Sequence, residues 1–423
     1  MQVAPVLESD ATSARDAHAA LLLEAGRVLL EYNESSGEIV RTLKSTANAL
    51  GEDVIDVALT YRGIAISLPG VAPALKTIHE LRFNAAVQER THGLLIRLRR
   101  GELDAPAALA ELGRVESETR RNNRWAVAAL LGAAAASFAC ILGADAGAMA
   151  VTAIATSLGL LLRQALGRRH FALLTLPLSA SLLGAVLAGI AIRLGWTRSP
   201  ALAVIVPALM VVPGPHFLNS MFDLIDNEVT MSISRLWLAA GVLVAAGLGV
   251  VIGMELAVPS DFFTRGSAEG FKLNLVSDMV LAGIAACGFA AFYNVKWNRL
   301  WMVAVGGMAG HGLRFFLLHA GLRLELATCL GGVMVGIVAA WMARSGKAPI
   351  AVLAFAGAVT MIPGLALYRA LGGILQIAGA ADGGDPALVA KTLGSGFQGS
   401  LAVCGLALGL IVGSRAMTAL ARR

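Results

Sequence analysis

Charged residues are scarce in this chain. Only 15% of its 423 residues are Asp, Glu, Lys or Arg, whereas soluble globular proteins carry about 25%. Hydrophobic residues make up 57% of the chain, and the mean hydropathy is +0.72. This composition excludes a protein that is soluble throughout, and we expect most of the chain to lie in a bilayer.

Cysteine is rare as well. The four cysteines lie far apart in apolar segments, at Cys140, Cys287, Cys329 and Cys404. They offer neither a metal-ligand spacing nor a disulfide framework. Three histidines in the N-terminal region have no carboxylate or cysteine at ligand spacing, so we expect no metal and no cofactor: His18, His79 and His92. No basic cluster is interleaved with aromatic residues, which excludes nucleic acid as a partner.

The charge that is present concentrates near the N-terminus. Residues 1–124 hold 15 of the 34 Lys and Arg and 17 of the 28 Asp and Glu. Apolar periodicity and β-branched runs predict a small α+β domain, with helices at 17–32, 38–50, 80–100 and 105–124 and a hairpin over 54–68. The start of the chain, from Met1 to Ala20, lacks the apolar core of a signal peptide, so we expect this domain in the cytoplasm.

This domain shows no P-loop and no nucleophile elbow. We therefore expect that the protein is not an enzyme. A membrane-bound sensor or enzyme that acts through residues 1–124 is the alternative from another functional class.

The remainder of the chain predicts ten membrane spans of about 20 residues each. Five fall in a first repeat over 125–258 and five in a second over 271–415: Trp125–Gly143, Gly147–Leu162, Ala172–Ile192, Ala201–Ile225, Leu236–Leu256, Leu273–Tyr293, Leu300–Leu318, Leu324–Ala343, Pro349–Ala378 and Leu393–Gly413. Connections on one side are richer in Lys and Arg, which places both termini in the cytoplasm. Because each repeat has an odd number of spans, equivalent helices run in opposite directions, and we expect an inverted repeat.

Two Pro-Gly pairs interrupt apolar segments. Pro213-Gly214 lies in the fourth predicted span and Pro363-Gly364 in the ninth, an offset of 150 in the numbering. Broken helices at corresponding positions of two repeats indicate a transporter binding site. The alternative is a pair of unrelated proline kinks, which membrane helices tolerate. If they form one site, the two breaks should face each other near the middle of the bilayer.

Polar residues inside the spans are costly and therefore candidates for function. Around the two breaks we predict substrate-binding residues at Pro213, Gly214, His216, Asn219, Ser220, Asp223, Pro363, Gly364, Tyr368 and Arg369. The positive end of a helix favours a carboxylate, and Asp223 would favour an ammonium, so a small zwitterion fits. A polar seam between helices is the alternative interpretation for Asn219 and Asp223.

A second set predicts a proton-coupling or polar network. Its members are Asp223, Arg235, Asp278, His311, Arg314 and Gln398. Burial raises the pKa of a carboxyl group toward neutrality, which would allow Asp278 to carry a proton. The alternatives are that Asp278 lies at the outer interface and that His311 is a packed hydrogen-bonding group.

Several stretches resemble the threonine/serine exporter family. Pro213-Gly214 followed by Asn219, Asp223 and Arg235 resembles its first transmembrane module. Residues 280–294, 301–314 and 361–369 resemble the second module of this family. Residues 25–30 and 50–51 resemble the N-terminal region of the family. The resemblance covers nearly the whole chain, with both modules fused.

The resemblance implies a secondary exporter of L-threonine and L-serine in a bacterial inner membrane, driven by proton antiport and working by alternating access. One departure is Asp226-Asn227-Glu228, which stands where the family usually has a glycine-rich turn. Relatives with the two modules on separate chains imply an alternative, export of small dicarboxylates such as succinate. A dianion would suit four arginines: Arg163, Arg235, Arg314 and Arg369. The expected partners are the substrate, protons and the lipid bilayer, and a homo-oligomer is left open.

Overall fold

The structure, a computed structural model, describes residues 5–79, 81–257, 273–343, 350–379 and 385–421. These residues divide into two compact units, which we describe separately. The first unit comprises the described residues up to Arg121 together with Asn219–Leu236. The second comprises Asn122–Leu218 and the described residues from Trp237 onward.

Among the described residues, the first unit contains four complete helices, parts of two later helices, and a three-stranded antiparallel sheet. The complete helices and the strands are α1 (Pro5–Glu31), α2 (Ser36–Ala49), β1 (Asp56–Thr60), β2 (Gly63–Ser67), β3 (Ala74–Thr77), α3 (Ala85–Arg99) and α4 (Ala105–Glu118). Helix α1 contacts all three other helices as well as β2 and β3. It is therefore the central element of this unit.

Apolar residues at helical spacing explain the position of α1. Leu22, Ala25 and Leu29 recur every three or four residues, and all three are fully buried. They belong to a core that also includes Leu43 of α2 and Ile64 of β2. Full burial of one such leucine contributes about 1.5–3 kcal/mol.

The predicted hairpin forms from β1 and β2, which pair antiparallel with Thr60 opposite Gly63. Strand β3 pairs with β2 on the other side, and the sequence pattern does not predict it. Three of its four residues are exposed, so it has no alternation of buried and exposed side chains. A short edge strand of this kind leaves little periodicity to detect.

The second unit is helical in the residues that the structure describes. Its helices are α5 (Arg124–Ile141), α6 (Ala146–Gly167), α7 (Thr175–Arg193), α8 (Pro200–Leu209), α9 (Gly214–Ile225), α10 (Val229–Ala257), α11 (Leu275–Phe292), α12 (Leu300–His319), α13 (Leu324–Ala343), α14 (Ile350–Ala358), α15 (Gly364–Gly379) and α16 (Pro386–Ala421). Helices α9 and α10 are shared, because their residues within Asn219–Leu236 belong to the first unit. One 3-10 turn, Trp297–Arg299, precedes α12, and a second, Val359–Met361, follows α14.

The chain is a multi-pass membrane protein. Among the described residues, eight helices are long and apolar enough to span a bilayer, and α8 with α9, bent by 58°, forms a ninth span if the pair is counted as one. The predicted span Pro349–Ala378 begins outside the described residues and corresponds to α14, a 3-10 turn and α15. The tenth span therefore stays a prediction, and the predicted loop 259–270 lies outside the described residues.

The helices before and after residue 258 have the same pattern of neighbours. Helix α5 packs on α6, α6 packs on α7, and α8 contacts all three. In the same way, α11 packs on α12, α12 packs on α13, and α14 contacts all three. Helices α5 and α11 also pack on each other.

Glycines let the last long helix of each set approach its neighbour closely. A β-carbon on Gly249 of α10 would clash with the carbonyl of Leu178 in α7, and one on Gly409 of α16 would clash with the carbonyl of Cys329 in α13. Small residues are frequent at helix contacts in membranes for this reason.

Candidate functional site

The two helix breaks have the same local structure. Proline lacks the N–H that a continuing helix needs, and α8 ends at Leu209 while α9 begins at Gly214. The amide of Gly214 donates to the Val212 carbonyl over 2.8 Å, and the amide of Gly364 donates to the Ile362 carbonyl over 2.7 Å. Each break is therefore a three-residue turn centred on its proline.

The first break contacts the second. A β-carbon placed on Gly214 would lie 2.6 Å from Cδ1 of Ile362 and 3.5 Å from Cγ2 of Val359. Such distances leave no room for a side chain at Gly214 without movement of Ile362. The apolar residues just before the second break therefore pack directly on the first.

The contact is reciprocal. A β-carbon on Gly364 would lie 3.1 Å from Cδ2 of Leu209 and 3.8 Å from Cγ2 of Val212. Leu209 and Val212 are separated from Val359 and Ile362 by the same offset that separates the two glycines. Each glycine thus receives the equivalent pair of apolar residues from the other break. This geometry disfavours two unrelated kinks.

A buried polar group lies near the second break. Nδ1 of His311 in α12 is 2.7 Å from Oδ2 of Asp278 in α11, and the two residues are 4% and 3% exposed. Nη1 of Arg314 is 3.4 Å from Nε2 of the same histidine. The structure therefore brings together three of the six residues predicted for the polar network.

The neighbours of His311 determine which of its ring nitrogens carries the proton. A guanidinium can only donate, so Nε2 must accept from Arg314, and Nδ1 must then hold the proton that it donates to Asp278. The imidazole is neutral in this arrangement, between an anion and a cation. One further proton can enter only at Nε2 or at the carboxylate.

This polar group connects to the break through Gly331 of α13. A β-carbon on Gly331 would lie 2.9 Å from Sδ of Met361 and 3.4 Å from Cβ of Arg314. Met361 immediately precedes the Ile362-Pro363 bond. Arg314 and the second break therefore contact the same small patch of α13.

The remaining predicted residues of the second unit are dispersed. His216 is buried in α9, whereas Arg369 in α15 and Gln398 in α16 are exposed. The side chain of Tyr368 lies outside what the structure describes. No three His, Cys, Asp or Glu side chains are placed to hold a metal ion within the described residues.

Asn219, Ser220, Asp223 and Arg235 belong to the first unit in the structure. Oδ1 of Asp223 accepts from the amide of Ser36 over 2.8 Å, at the first residue of α2. A carboxylate is stabilising at this position because it faces the positive end of the helix. Nδ2 of Asn219 donates to the Asn33 carbonyl over 2.7 Å, and Ser220 donates to the Ser232 carbonyl over 2.9 Å.

Arg235 completes this group. Its Nη1 is 3.0 Å from Oδ2 of Asp223, and both side chains are fully buried. Its Nη2 donates to the Glu34 carbonyl over 2.6 Å. The turn that precedes α2 is thus held by a carboxylate and a guanidinium. The substrate-binding role of Asp223 stays a prediction, since both of its oxygens face groups of the first unit.

Sequence reasoning missed Glu34 and His92 as part of this group. Oε2 of Glu34 is 3.3 Å from Nε2 of His92. Burial opposes protonation of His92, but the hydrogen bond and the charge of Glu34 outweigh burial and raise its pKa above the ordinary value. Asn33, with a φ of 61°, begins the turn in the left-handed conformation. The run Asn33-Glu34-Ser35-Ser36 was the only available sign, and it indicates only a helix break.

Two family models match the chain. Residues 20–257 match one described as "Putative threonine/serine exporter", and residues 278–416 match one described as "Threonine/Serine exporter, ThrE". No solved structure matches the chain. The first match ends at the last residue of α10, and the second begins within α11. The chain is therefore a membrane exporter that belongs to the threonine/serine exporter family.

Proposed function

We propose that the protein exports L-threonine and L-serine by proton antiport, with the substrate bound at the paired Pro-Gly breaks. The observation that supports this most is the reciprocal packing of the breaks, Gly214 on Ile362 and Gly364 on Leu209. Helices α9 and α15 both begin at this contact. The positive ends of two half-helices there favour the carboxylate of an amino acid.

The same packing supports an inverted repeat that works by alternating access. Residues at equivalent positions of the two halves make equivalent contacts at both breaks, as two related halves require. The shared neighbour pattern of α5–α8 and α11–α14 agrees with it. In this proposal the two halves rock around the breaks, and the substrate stays near the middle of the bilayer.

Proton coupling is assigned to Asp278 and His311. Protonation of Nε2 in His311 removes the acceptor of Arg314 and places two cations 3.4 Å apart. Repulsion between these two cations favours their separation. The guanidinium of Arg314 then moves away from His311. Because Cβ of Arg314 and Sδ of Met361 both face Gly331, we infer that this movement shifts the second break. A proton thereby changes the relative stability of two conformations.

The test is transport in proteoliposomes with labelled threonine, serine and succinate, with and without a pH gradient. Asp278→Asn should abolish transport driven by the gradient, because the protonated His311 then loses its anionic partner, but retain counterflow, which needs no net proton movement. Asp385→Asn is the matched control, since Asp385 caps α16 at Ala387 and asparagine caps equally well. Gradient-driven transport by Asp278→Asn would eliminate this coupling site.

Dicarboxylate export is the second candidate, and one observation favours it. Each half has a half-buried arginine at an equivalent place, Arg163 and Arg314. Among the described residues, Arg163 has no carboxylate partner and lies 5.5 Å over the Phe292 ring. A half-buried arginine without a carboxylate partner favours an anionic substrate. Counterflow of succinate, without counterflow of threonine or serine, would select this candidate over the first.

We also propose that both termini lie in the cytoplasm, that the membrane is the bacterial inner membrane, and that residues 1–124 form a cytoplasmic domain. The distribution of Lys and Arg between the predicted connections supports this orientation. Single cysteines at Lys44 and Arg198, introduced in a background with the four native cysteines replaced by serine, should be labelled from opposite sides of the membrane. Labelling of both cysteines from the periplasmic side would rule out the proposed orientation.

A further inference from the structure

The turn between α11 and α12 is fixed to the start of α5. The amide of Asn122 donates to Oδ1 of Asn294 over 2.7 Å, and its Nδ2 donates to the Val295 carbonyl over 2.9 Å. Asn294 has a φ of 62°, which marks the tight turn. The residues that follow Asn122 and Val295 are thereby held next to each other at one end of the second unit.

Four cations surround this turn, and we call them the basic corner: Arg124, Arg163, Lys296 and Arg299. Arg124 and Lys296 are exposed, and Arg299 is half-buried. Arg163 reaches the turn from α6, where its guanidinium lies over the ring of Phe292. The chain has no Asp or Glu from 122 to 143 or from 279 to 324. Both segments at this corner therefore carry a net positive charge.

Exposed tryptophans accompany the cations. Trp125 is 58% exposed, Trp297 is 43% exposed and Trp301 is 61% exposed. The guanidinium of Arg124 lies 4.7 Å over the Trp125 ring, which orients it. Tryptophans at helix ends occupy the headgroup layer of a membrane. We therefore expect the basic corner to lie at the depth of lipid phosphates.

We propose that the basic corner binds the phosphate of an anionic phospholipid. Arginine presents a planar fork of donors that matches phosphate oxygens, and lysine adds a point charge. The acyl chains would lie along exposed apolar side chains at the membrane end of this corner, such as Trp125 and Trp301. Such a lipid bridges α5 to the α11–α12 turn and reinforces the contact that Asn122 makes.

The test uses purified protein in nanodiscs of phosphatidylcholine with increasing fractions of phosphatidylglycerol. Thermal unfolding and native mass spectrometry report stabilisation and retained lipid. The wild type should gain stability with phosphatidylglycerol, and Arg124→Gln/Lys296→Gln should bind that lipid about 25-fold more weakly, at about fivefold for each cation lost near an anionic surface. The variant should keep its fold, because both side chains are exposed and the Asn122 hydrogen bonds remain.

The control removes two exposed arginines outside the basic corner, Arg198→Gln/Arg323→Gln. This control should retain the lipid response. Equal stabilisation of the wild type and Arg124→Gln/Lys296→Gln by phosphatidylglycerol would overturn the proposal. Equal stabilisation of the detergent-solubilised wild type by inorganic phosphate would also overturn it, because the site would then take any free phosphate.

Discussion

The helices that follow the two breaks end in different surroundings. In α9, Asp223 is paired with Arg235 and caps α2. In α15, the equivalent position is Gly373, and a β-carbon there would clash with Thr392 of α16. The breaks themselves therefore pack alike, whereas the segments beyond them differ: one is held by buried charges, and the other by close helix contact.

The difference follows the division into units, because only the segment after the first break groups with the N-terminal region. The charged segment Asn219–Leu236 belongs to the first unit with α1–α4, whereas α15 and α16 remain in the second unit. Buried charges are expensive to desolvate, and they favour one specific partner because any other leaves them unpaired. In the first half, the buried charges of Asp223 and Arg235 therefore attach this segment specifically to the turn before α2.

The largest expected effect comes from breaking the buried ion pair. Arg235→Met leaves Asp223 buried without its counterion, which costs about 3–5 kcal/mol. We expect protection of the Ser36 and Gly37 amides in hydrogen exchange to fall accordingly. Asp223→Leu/Arg235→Met, which removes both charges, should recover part of this loss.

Arg41→Met is the control for that measurement. Arg41 lies 3.3 Å from Asp226, but its side chain is 52% exposed. An exposed pair contributes about 0–1 kcal/mol. A loss of protection in Arg41→Met as large as that in Arg235→Met would show that burial of the pair is not decisive.

A smaller effect is expected where the second half relies on close contact. Gly373→Ala should destabilise the second unit by about 1–3 kcal/mol, because the new methyl group overlaps Thr392. Thermal unfolding in one detergent measures the change. Gly394→Ala in α16 is the matched control, since no atom lies within 4 Å of the added carbon. If both substitutions have the same effect, helix propensity and not packing governs α15.

The two breaks should respond unequally to a methyl group. Gly214→Ala meets Ile362 at 2.6 Å, whereas Gly364→Ala meets Leu209 at 3.1 Å. We expect the first to lower the rate of threonine or serine counterflow several-fold more than the second, because more movement is required. Expression and thermal stability are measured in parallel. A larger loss of transport in Gly364→Ala would contradict the geometry of the breaks.

The smallest effect concerns pH and the first unit. The pKa of His92 is raised in the folded protein by Glu34. Its contribution to stability is therefore complete below the pKa of the unfolded chain, about 6.5, and is lost as pH rises through the higher folded pKa. The free energy of opening of the turn before α2, measured by hydrogen exchange, should decrease by about 1 kcal/mol between pH 5.5 and 8. His92→Gln should remove this pH dependence, and its persistence would assign it to another group.

The sequence predicts the breaks because proline and glycine act locally. Pro213 cannot donate a hydrogen bond wherever the rest of the chain lies, so an apolar run that contains it must be interrupted. The recurrence of the same dipeptide in the second half likewise predicts related surroundings. Both features are independent of contacts between distant residues.

The partners of the polar residues depend on distant contacts, and here sequence reasoning was less informative. Asp278 precedes the turn at Asn294 by nearly the same distance along the chain as His311 follows it. An antiparallel pair of helices joined at that turn brings such positions to the same level, so this contact could have been found. The contact of Asp223 with Ser36 spans 187 residues. No local pattern predicts it, because the two segments are far apart in the chain and meet only in the folded first unit.

The reciprocal packing of the breaks also bears on assembly. Leu209 and Gly214 lie within the residues of the first family match, and Ile362 and Gly364 lie within the second. Neither half contains both sides of the contact. Two separate chains could complete it only by associating, at a ratio that depends on how much of each is synthesised. Fusion of the halves fixes that ratio at one to one in every molecule.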